Sequence, residues 1–241
     1  MKRLFDIIAS FCGLVIFSPI LIIFMFLVWK DDKKMPFYMA QRSGKNGATF
    51  KMVKLRSMVV DSDKSGVNST GNNDIRITPI GHKIRKYKLD ELTQLWNVLV
   101  GDMSLVGPRP NVEVETNLYT DFEKRLLLVR PGITDFSSIV FSDEGEILKE
   151  KEDPDLSYNQ LIRPWKSRLG LVYIKNQSFF LDIQIIFFTI VAIISKPKAL
   201  IWVAKKLNNL GVDAETVKVS KRKASLYPFP PPGSNKIVGL R

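Results

Sequence analysis

An apolar segment near the N-terminus limits the fold of this chain more than any other feature. Residues 4–29 are almost continuously apolar, and the exceptions are Asp6, Ser10, Gly13, Ser18 and Pro19. As one straight helix the segment would extend about 39 Å, enough to cross a hydrocarbon core of about 30 Å. The segment is too long for a cleaved signal peptide, and no small-x-small cleavage site follows it. It therefore predicts a membrane anchor.

The anchor can enter the membrane either as one transmembrane helix or as a re-entrant hairpin. Pro19 lacks a backbone N–H and crowds the carbonyl of Val15, which favours a break at this point. Ser18 can donate a hydrogen bond to a nearby carbonyl and offset the loss. Basic residues on both flanks suit two ends on the same, cytoplasmic face: Lys2, Arg3, Lys30, Lys33 and Lys34. The residues alone leave both arrangements open.

The charge balance points to anionic partners. The formal net charge is +12, which suits nucleic acid, anionic lipid head groups or phosphorylated substrates. The membrane anchor and the lack of a zinc-finger, RNP or helix-turn-helix motif disfavour nucleic acid. Cys12 and His82 are the single cysteine and histidine, so a disulfide within the chain and a multi-histidine metal site are excluded. Any metal is expected to be hard and oxygen-bound, with Mg²⁺ first.

Several regular elements follow the anchor. Residues 36–58 alternate apolar and polar side chains around a turn at residues 43–47, which predicts a small β element. Residues 80–100 and 116–128 are predicted to be helical. Residues 183–194 are too short to span a membrane and, with the residues that follow, predict amphipathic helices at the membrane interface; an ordinary core helix is the alternative. The last thirty or so residues are expected to be extended or loosely attached.

Residues 88–110 carry the clearest chemistry. Asp90 and Glu91 form an adjacent acid pair, and the basic residues before them predict a positive local field that keeps both carboxylates ionised. An acid pair is weak evidence by itself, because Asp143 and Glu144 form another. A solvated helix with surface salt bridges is the alternative. The pair gains meaning from its neighbours.

Those neighbours are arginines and lysines in restricted settings. Arg109 stands between two prolines in a glycine-containing loop, which lowers the cost of ordering a guanidinium that binds phosphate in a bidentate way. Lys54 and Arg56 are two residues apart on the predicted strand and so face the same side. Arg85 precedes the acid pair, and Arg130 adjoins a proline and a glycine. Together these side chains predict a pyrophosphate-binding site around the acids.

The motifs themselves resemble a known family. KLRSM (54–58), LDEL (89–92), QLWNVL (94–99), GDMSLVGPRP (101–110) and RPGIT (130–134) closely resemble the bacterial sugar transferases, which are monotopic polyprenyl-phosphate phosphoglycosyl transferases. The resemblance extends from residue 2 to about residue 195. It implies an α+β, mainly helical fold. Residues 1–34 would form a re-entrant helix-break-helix anchor broken at Ser18–Pro19, residues 35–195 a catalytic domain with a small β element and interfacial helices, and residues 196–241 a basic, proline-containing tail.

The resemblance also implies a reaction. Asp90 would attack the β-phosphate of a UDP-sugar, release UMP and form a phosphosugar-aspartyl intermediate. Polyprenyl (undecaprenyl) phosphate would then take the phosphosugar and start a surface glycan. Mg²⁺ would be bound by Asp90, and Glu91 would handle the acceptor proton or help hold the metal. The phosphate-binding or site-ordering residues would be Lys54, Arg56, Arg85, Arg109 and Arg130.

The same resemblance implies a setting and leaves alternatives. The enzyme would sit in the bacterial inner (cytoplasmic) membrane, on its cytoplasmic face, in contact with lipids and open to a homodimer or to downstream glycosyltransferases. Thr93 replaces the family's usual proline, so the helix is expected to run on more smoothly, and residues 135–140 depart from the usual continuation. The competing functions are a non-catalytic basic module on the membrane surface and a Mg²⁺-dependent phosphohydrolase.

Overall fold

The computed structural model describes residues 1–62, 74–149 and 151–239. Within these ranges the chain is mainly helical, and four short strands form two separate two-stranded sheets. The helices are α1 (Lys2–Asp32), α2 (Pro79–Lys86), α3 (Leu89–Leu92), α4 (Leu95–Val100), α5 (Glu113–Asn117), α6 (Phe136–Val140), α7 (Glu144–Ile147), α8 (Pro154–Ser157), α9 (Arg163–Lys175), α10 (Phe179–Ile194), α11 (Lys196–Asn209) and α12 (Ala214–Ser220). The strands are β1 (Phe37–Ser43), β2 (Thr49–Leu55), β3 (Ser104–Val106) and β4 (Gly132–Thr134). The predicted α+β, mainly helical class is confirmed.

Helix α1 continues through Pro19. Pro19 lacks the N–H that would bond the Val15 carbonyl, and the Ser18 hydroxyl donates to that carbonyl instead, at 2.8 Å. The hydrogen bond expected from Ser18 is therefore present, whereas the expected separation into two helices at residues 18–19 is not. Among the described residues, α1 is the helix that is long and apolar enough to cross a membrane. Its outward side chains include Phe11, Ile16 and Phe26, all more than half exposed.

The N-terminal end of α1 is attached to the rest of the protein by polar contacts. The Lys2 ammonium donates to the buried Asp182 carboxylate at 2.6 Å and to the Val106 carbonyl at 3.0 Å. Asp6, which interrupts the apolar run, is 3 % exposed and accepts a hydrogen bond from the Ser104 hydroxyl at 2.9 Å. These contacts join the start of α1 to β3 and α10.

The C-terminal end of α1 is attached to the same body. The Arg56 guanidinium makes two hydrogen bonds to the Asp32 carboxylate, at 2.6 and 2.7 Å. One turn earlier, Val28 packs in an apolar cluster with Leu55 of β2, Ile84 of α2 and other side chains. Both ends of α1 therefore contact one folded unit, and the helix lies along it instead of projecting away.

The predicted β element is confirmed as the hairpin of β1 and β2. The strands are antiparallel, and Ala40 lies opposite Met52 in the register. Both side chains are buried and pack with Val98 and Met103. Lys54 lies two residues after Met52 and so on the same face, opposite Tyr38 in the register. The hairpin thus presents a lysine beside an apolar core.

The prediction that residues 80–100 are mostly helical is confirmed. The structure has three short helices there, α2, α3 and α4. Lys88, between α2 and α3, adopts a left-handed backbone with φ of 53°, which ends the first helix and redirects the chain. The smoother helix expected from Thr93 is absent. Thr93 lies between α3 and α4, and its hydroxyl donates a hydrogen bond to the Val53 carbonyl at 2.9 Å.

The second predicted helix, residues 116–128, is instead α5 followed by a 3₁₀ segment at Glu123–Leu128.

A second sheet, which the sequence patterns did not predict, joins two of the motifs. Strands β3 and β4 are parallel, with Ser104 opposite Gly132. A Cβ atom on Gly132 would lie 2.1 Å from the backbone nitrogen of Gly107, so only glycine allows this approach. The glycines of these motifs bring two backbones together, and this contact places the GDMSLVGPRP loop beside RPGIT.

The main hydrophobic core is formed by α6, α9, α10, α11 and α12. Helix α10 buries Leu181 and Ile185 and exposes Phe187 and Ile190, so the predicted interfacial helix is amphipathic. The segment predicted as a tail, residues 196–241, begins with α11 and α12, which contribute buried core residues such as Val203.

The last described residues are extended, as predicted, but they are firmly packed. The Phe229 ring stacks on Trp165 with centroids 4.3 Å apart, and Arg168 donates to the Pro230 carbonyl at 2.9 Å. The Gln160 amide donates to the Val238 carbonyl at 2.7 Å. The expectation of loose attachment is therefore wrong, because apolar side chains in this segment complete the surface of α9.

Candidate active site

Asp90 lies where two cavities meet. The first, which we call the anchor-side cavity, has a volume of about 640 Å³ and reaches from Asp90 to residues just after α1, such as Met35. The second, which we call the polar cavity, has a volume of about 400 Å³ and is lined by Glu91, Arg109 and other polar groups. Five residues line both cavities: Arg42, Lys54, Arg85, Asp90 and Val112. A group at Asp90 is therefore accessible to ligands in either space.

Local structure holds Asp90 in this position. The left-handed backbone at Lys88 starts α3, and the buried Leu89 side chain fixes the helix against the cluster around Val28. Thr93 places its hydroxyl 2.9 Å from the Val53 carbonyl on β2 and 3.0 Å from the Asp90 carbonyl. Because Lys54 follows Val53, these contacts set the acid pair next to the strand that carries the lysine.

Glu91 is engaged with the arginine of the neighbouring loop. An Arg109 Nη2 donates to Glu91 Oε1 at 3.2 Å, and Nη1 donates to the Ile133 carbonyl at 2.8 Å. Both side chains are partly exposed to the polar cavity, at 22 % for Arg109 and 26 % for Glu91. The ion pair joins α3, the GDMSLVGPRP loop and β4. It orients the guanidinium while leaving part of it accessible to a ligand.

The two carboxylates have opposite electrostatic environments. Burial raises the pKa of Asp90, although the Lys54 charge opposes the shift. Burial also acts on Glu91, but Arg109, Lys88 and Lys54 together lower its pKa below the usual range. The sequence predicted that nearby positive charge would lower the pKa of both acids. The pKa is lowered for Glu91 but raised for Asp90. The two adjacent acids therefore differ in their environments, which suits separate roles for them.

Two of the predicted basic residues share the walls around Asp90. Burial lowers the pKa of Lys54, and the neighbouring Asp90 charge partly offsets this. Burial likewise lowers the pKa of the Arg85 guanidinium, again opposed by Asp90. Removing water from these cations strengthens their attraction for an anionic ligand. Lys54, Arg85 and Arg109 therefore fit phosphate recognition beside Asp90.

The structure does not bring Arg56 and Arg130 into the same arrangement. Arg56 lines the anchor-side cavity, but its guanidinium nitrogens are bonded to the Asp32 carboxylate and the Met35 carbonyl, so it secures the end of α1. Arg130 is exposed, donates to the Gly101 carbonyl at 2.9 Å and lines neither cavity. Arg56 lies beyond the last residue of β2, so the two-residue spacing from Lys54 did not place both side chains alike.

The sequence reasoning missed several residues that line the polar cavity. Arg42 on β1 lines both cavities, and burial lowers its pKa. The sequence contained a signal for Arg42, because residues two apart on a strand, such as Ala40 and Arg42, face the same side of the hairpin. Glu144, from the second acid pair, also lines the polar cavity and is bonded by Lys166. That second pair therefore belongs to the surroundings of the site.

The side chains around Asp90 suit a metal ion that is held mainly by the phosphates of a bound substrate. In the described ranges, no three of the side chains that commonly bind metals converge on one point. Asp90 offers a carboxylate to the shared space, whereas Glu91 is bonded to Arg109. Mg²⁺ commonly takes one or two protein carboxylates, with phosphates and water completing its shell. Asp90 fits that pattern as a single protein ligand.

Comparison with known proteins gives a consistent picture. Residues 1–196 match the family described as bacterial sugar transferase. The chain is 35 % identical over 207 residues to the exopolysaccharide production protein ExoY of Rhizobium meliloti, covering 80 % of this chain and 84 % of that protein. It is 36 % identical over 193 residues to the UDP-glucose:undecaprenyl-phosphate glucose-1-phosphate transferase of Klebsiella pneumoniae, covering 78 % of this chain and 39 % of that protein.

A third relative has a similar relationship. The chain is 35 % identical over 216 residues to the UDP-galactose-lipid carrier transferase of Erwinia amylovora, covering 83 % of this chain. It spans 41 % of the length of that relative, so the similarity concerns one part of a longer protein. The family match covers most of the present chain, including α1, the acid pair and the GDMSLVGPRP loop. The chain belongs to the bacterial sugar transferase family.

Proposed function

We propose that this protein transfers a sugar-1-phosphate from a UDP-sugar to polyprenyl phosphate, giving a polyprenyl-diphosphate sugar and UMP. The observation that carries the proposal is the position of Asp90 between two cavities that share cationic walls. A donor and an acceptor that both carry phosphate can reach the same carboxylate from the two spaces. The names of two relatives, the glucose-1-phosphate transferase of Klebsiella pneumoniae and the UDP-galactose-lipid carrier transferase of Erwinia amylovora, describe transfer from a UDP-sugar to a lipid carrier and support the substrate classes.

Asp90 acts as the nucleophile in this mechanism. One of its carboxylate oxygens forms a bond to the β-phosphorus of the UDP-sugar, and the bond from that phosphorus to the bridging oxygen breaks, so UMP leaves with the bonding electrons. A phosphate oxygen of the polyprenyl acceptor then bonds to the same phosphorus, and the Asp90–phosphorus bond breaks. The carboxylate is regenerated. The position of Asp90 supports this role, because it lines both cavities while Glu91 is bonded to Arg109.

The neighbouring residues bind and orient phosphates. Lys54 and Arg85 line both cavities, so they are placed to attract the diphosphate of the donor and the phosphate of the acceptor. Arg109 is oriented by Glu91 and the Ile133 carbonyl, which fixes the remaining guanidinium N–H groups toward the polar cavity. Glu91 serves first to orient Arg109. It can also accept a proton, although its lowered pKa favours the ionised state.

Mg²⁺ is the cofactor that we propose, with Asp90 as its protein ligand. When bound, it would offset the charge of the donor diphosphate and so favour departure of UMP. Asp90 presents its carboxylate to the space in which a diphosphate would lie. Lys54, Arg85 and Arg109 supply fixed positive charge around the same space, which reduces the charge that the cation must neutralise.

We also propose that α1 anchors the protein in the bacterial inner membrane, with both of its ends and the catalytic unit on the cytoplasmic face. Lys2 at one end of α1 bonds Asp182, and Asp32 at the other end bonds Arg56. A helix whose two ends contact one folded unit has both ends on the same side of the membrane. The positive residues at both ends support the cytoplasmic side.

The decisive experiment measures UMP release by the purified full chain. A panel of UDP-sugars is tested with Mg²⁺ and undecaprenyl phosphate, and product analysis identifies the lipid-linked sugar. Asp90→Asn is expected to lower turnover on the order of 10⁴-fold, as expected when a covalent nucleophile is removed. Asp121→Asn is the matched control, because Asp121 is exposed and pairs only with Lys124 in the described part of the chain.

Each alternative function has its own outcome in this assay. Free sugar phosphate formed without a lipid acceptor would favour a phosphohydrolase. No UMP from any UDP-sugar would favour a non-catalytic basic module. Near wild-type turnover by Asp90→Asn would refute the nucleophile assignment, whereas a mass increase on a peptide containing Asp90 in single-turnover reactions would support it.

A further inference from the structure

A third cavity is lined mostly by residues that follow those matching the family, with Asp143 and Lys196 contributed from within the match. It has a volume of about 820 Å³ and is formed mainly by α11, α12 and the residues after α12. The family match ends at residue 196, where α11 begins. The cavity is separate from the site around Asp90, and none of its lining residues lines the anchor-side or polar cavity.

The lining of this cavity is strongly positive. Five cations and one carboxylate face it: Lys196, Lys205, Lys221, Arg222, Lys223 and Asp143. Asp143 pairs with Lys196 at 2.9 Å and with Arg222 at 3.3 Å. Within the described residues, no ion pair engages the other three, the lysines at 205, 221 and 223. Their charge is therefore available to an anionic ligand.

The rest of the lining is apolar and continues onto an exposed surface. Leu200, Ala204 and Val217 are buried and line the cavity. Ile201 also lines it and is 62 % exposed. The next residue, Trp202, stacks on Phe187 of α10 with ring centroids 5.5 Å apart.

That stack connects the cavity to the apolar face of α10. Phe187 and Ile190 are each 52 % exposed, and Ile194 is 83 % exposed. Exposed apolar side chains on one side of two helices, with lysines close by, are typical of helices that lie in a membrane interface. The cationic cavity therefore opens beside an exposed apolar surface of this type.

We propose that this cavity binds the head group of an anionic phospholipid. The phosphate would contact the lysines at 205, 221 and 223, and the acyl chains would follow Ile201 and Trp202 into the membrane. Charge complementarity selects an anionic head group, and the adjoining apolar face selects a ligand with hydrocarbon chains. A free phosphate would satisfy only the cations, so the lipid accounts for both parts of the lining.

The test is native mass spectrometry of the full chain in detergent, titrated with phosphatidylglycerol and, separately, with phosphatidylcholine. The main variant combines Lys205→Gln, Lys221→Gln and Lys223→Gln. It is expected to raise the Kd for phosphatidylglycerol on the order of 100-fold, because three attractions between lysine and phosphate are lost. The control is Lys218→Gln on α12, close to Lys221 in the chain but outside the cavity, where Lys218 pairs with Glu215. It is expected to change the Kd less than about twofold.

The outcomes are distinct from those of the transferase assay. Tighter binding of phosphatidylglycerol than of phosphatidylcholine, lost in the triple variant and kept in Lys218→Gln, would support the site. Equal binding of the two lipids, or equal losses in the two variants, would overturn it. Displacement of the lipid by millimolar inorganic phosphate would also overturn it in favour of a soluble anion. Circular dichroism checks folding, and Lys205→Gln alone provides a second variant if the triple variant is unstable.

Discussion

Removal of the Arg163 guanidinium would test a fully enclosed ion pair. The side chains of Arg163 and Glu123 are 2 % and 0 % exposed. Arg163 donates to the Glu123 carboxylate through two nitrogens, at 2.7 and 3.2 Å. Glu123 also accepts hydrogen bonds from the Ser167 hydroxyl at 2.7 Å and the Thr120 backbone N–H at 3.0 Å. The pair connects α9 to the 3₁₀ segment that precedes RPGIT.

Arg163→Met keeps much of the side-chain volume but leaves the Glu123 carboxylate buried without its cation. Breaking a buried pair in this way costs about 3–5 kcal/mol, because the remaining charge loses its partner and stays out of water. At about 2–4 °C per kcal/mol for a chain of this size, Tm is expected to fall by roughly 6–20 °C. Adding Glu123→Gln removes the uncompensated charge, so the double variant is expected to recover much of the loss.

Thermal unfolding in detergent, followed by circular dichroism, measures the effect. The matched control is Lys124→Met, which removes a cation from a solvent-exposed pair with Asp121 and should lower Tm much less. If Arg163→Met and Lys124→Met lowered Tm equally, burial would not be the source of the effect. If Arg163→Met with Glu123→Gln were no more stable than Arg163→Met, the uncompensated charge would not be its cause.

Two further predictions concern the active site. Arg109→Lys keeps the charge but cannot bond Glu91 and the Ile133 carbonyl together while also reaching phosphate, so kcat/KM for UMP release should fall roughly 10- to 100-fold. Arg130→Lys should change it less than about twofold, and similar losses in both would contradict this division of roles. Lys54→Gln removes the cation that most lowers the pKa of Asp90, which must be ionised to attack, so the acidic fall of the pH–rate profile should move to higher pH. A profile that stayed in place or moved to lower pH would disprove the coupling.

Patterns that are local in the chain were read correctly from the sequence. The apolar run predicted α1, and the alternation of residues 36–58 predicted the β1–β2 hairpin. The hydrogen bond from Ser18 to a nearby carbonyl also followed from two neighbouring residues. The mostly helical character of residues 80–100 was also read correctly, whereas the division into three helices depends on the left-handed backbone at Lys88, which periodicity does not reveal.

Tertiary contacts decided what local patterns could not. The parallel pairing of β3 and β4 depends on contact between Gly107 and Gly132, which are far apart in sequence. The packing of Phe229 on Trp165 likewise turned an expected loose tail into part of the folded unit. In both cases the sequence of each segment alone is also compatible with an unpaired loop, so the contact could not be predicted from either segment.

The sequence by itself determined that this protein carries an apolar anchor, an acid pair and a basic loop, because each is encoded within a few consecutive residues. Only the tertiary structure decided which cations surround Asp90. Lys54, Arg85 and the unpredicted Arg42 line both cavities, whereas Arg56 is committed to the end of α1. The physical reason is that a cation acts on the carboxylate it meets in space, and this position depends on how β2, α2 and α3 pack together.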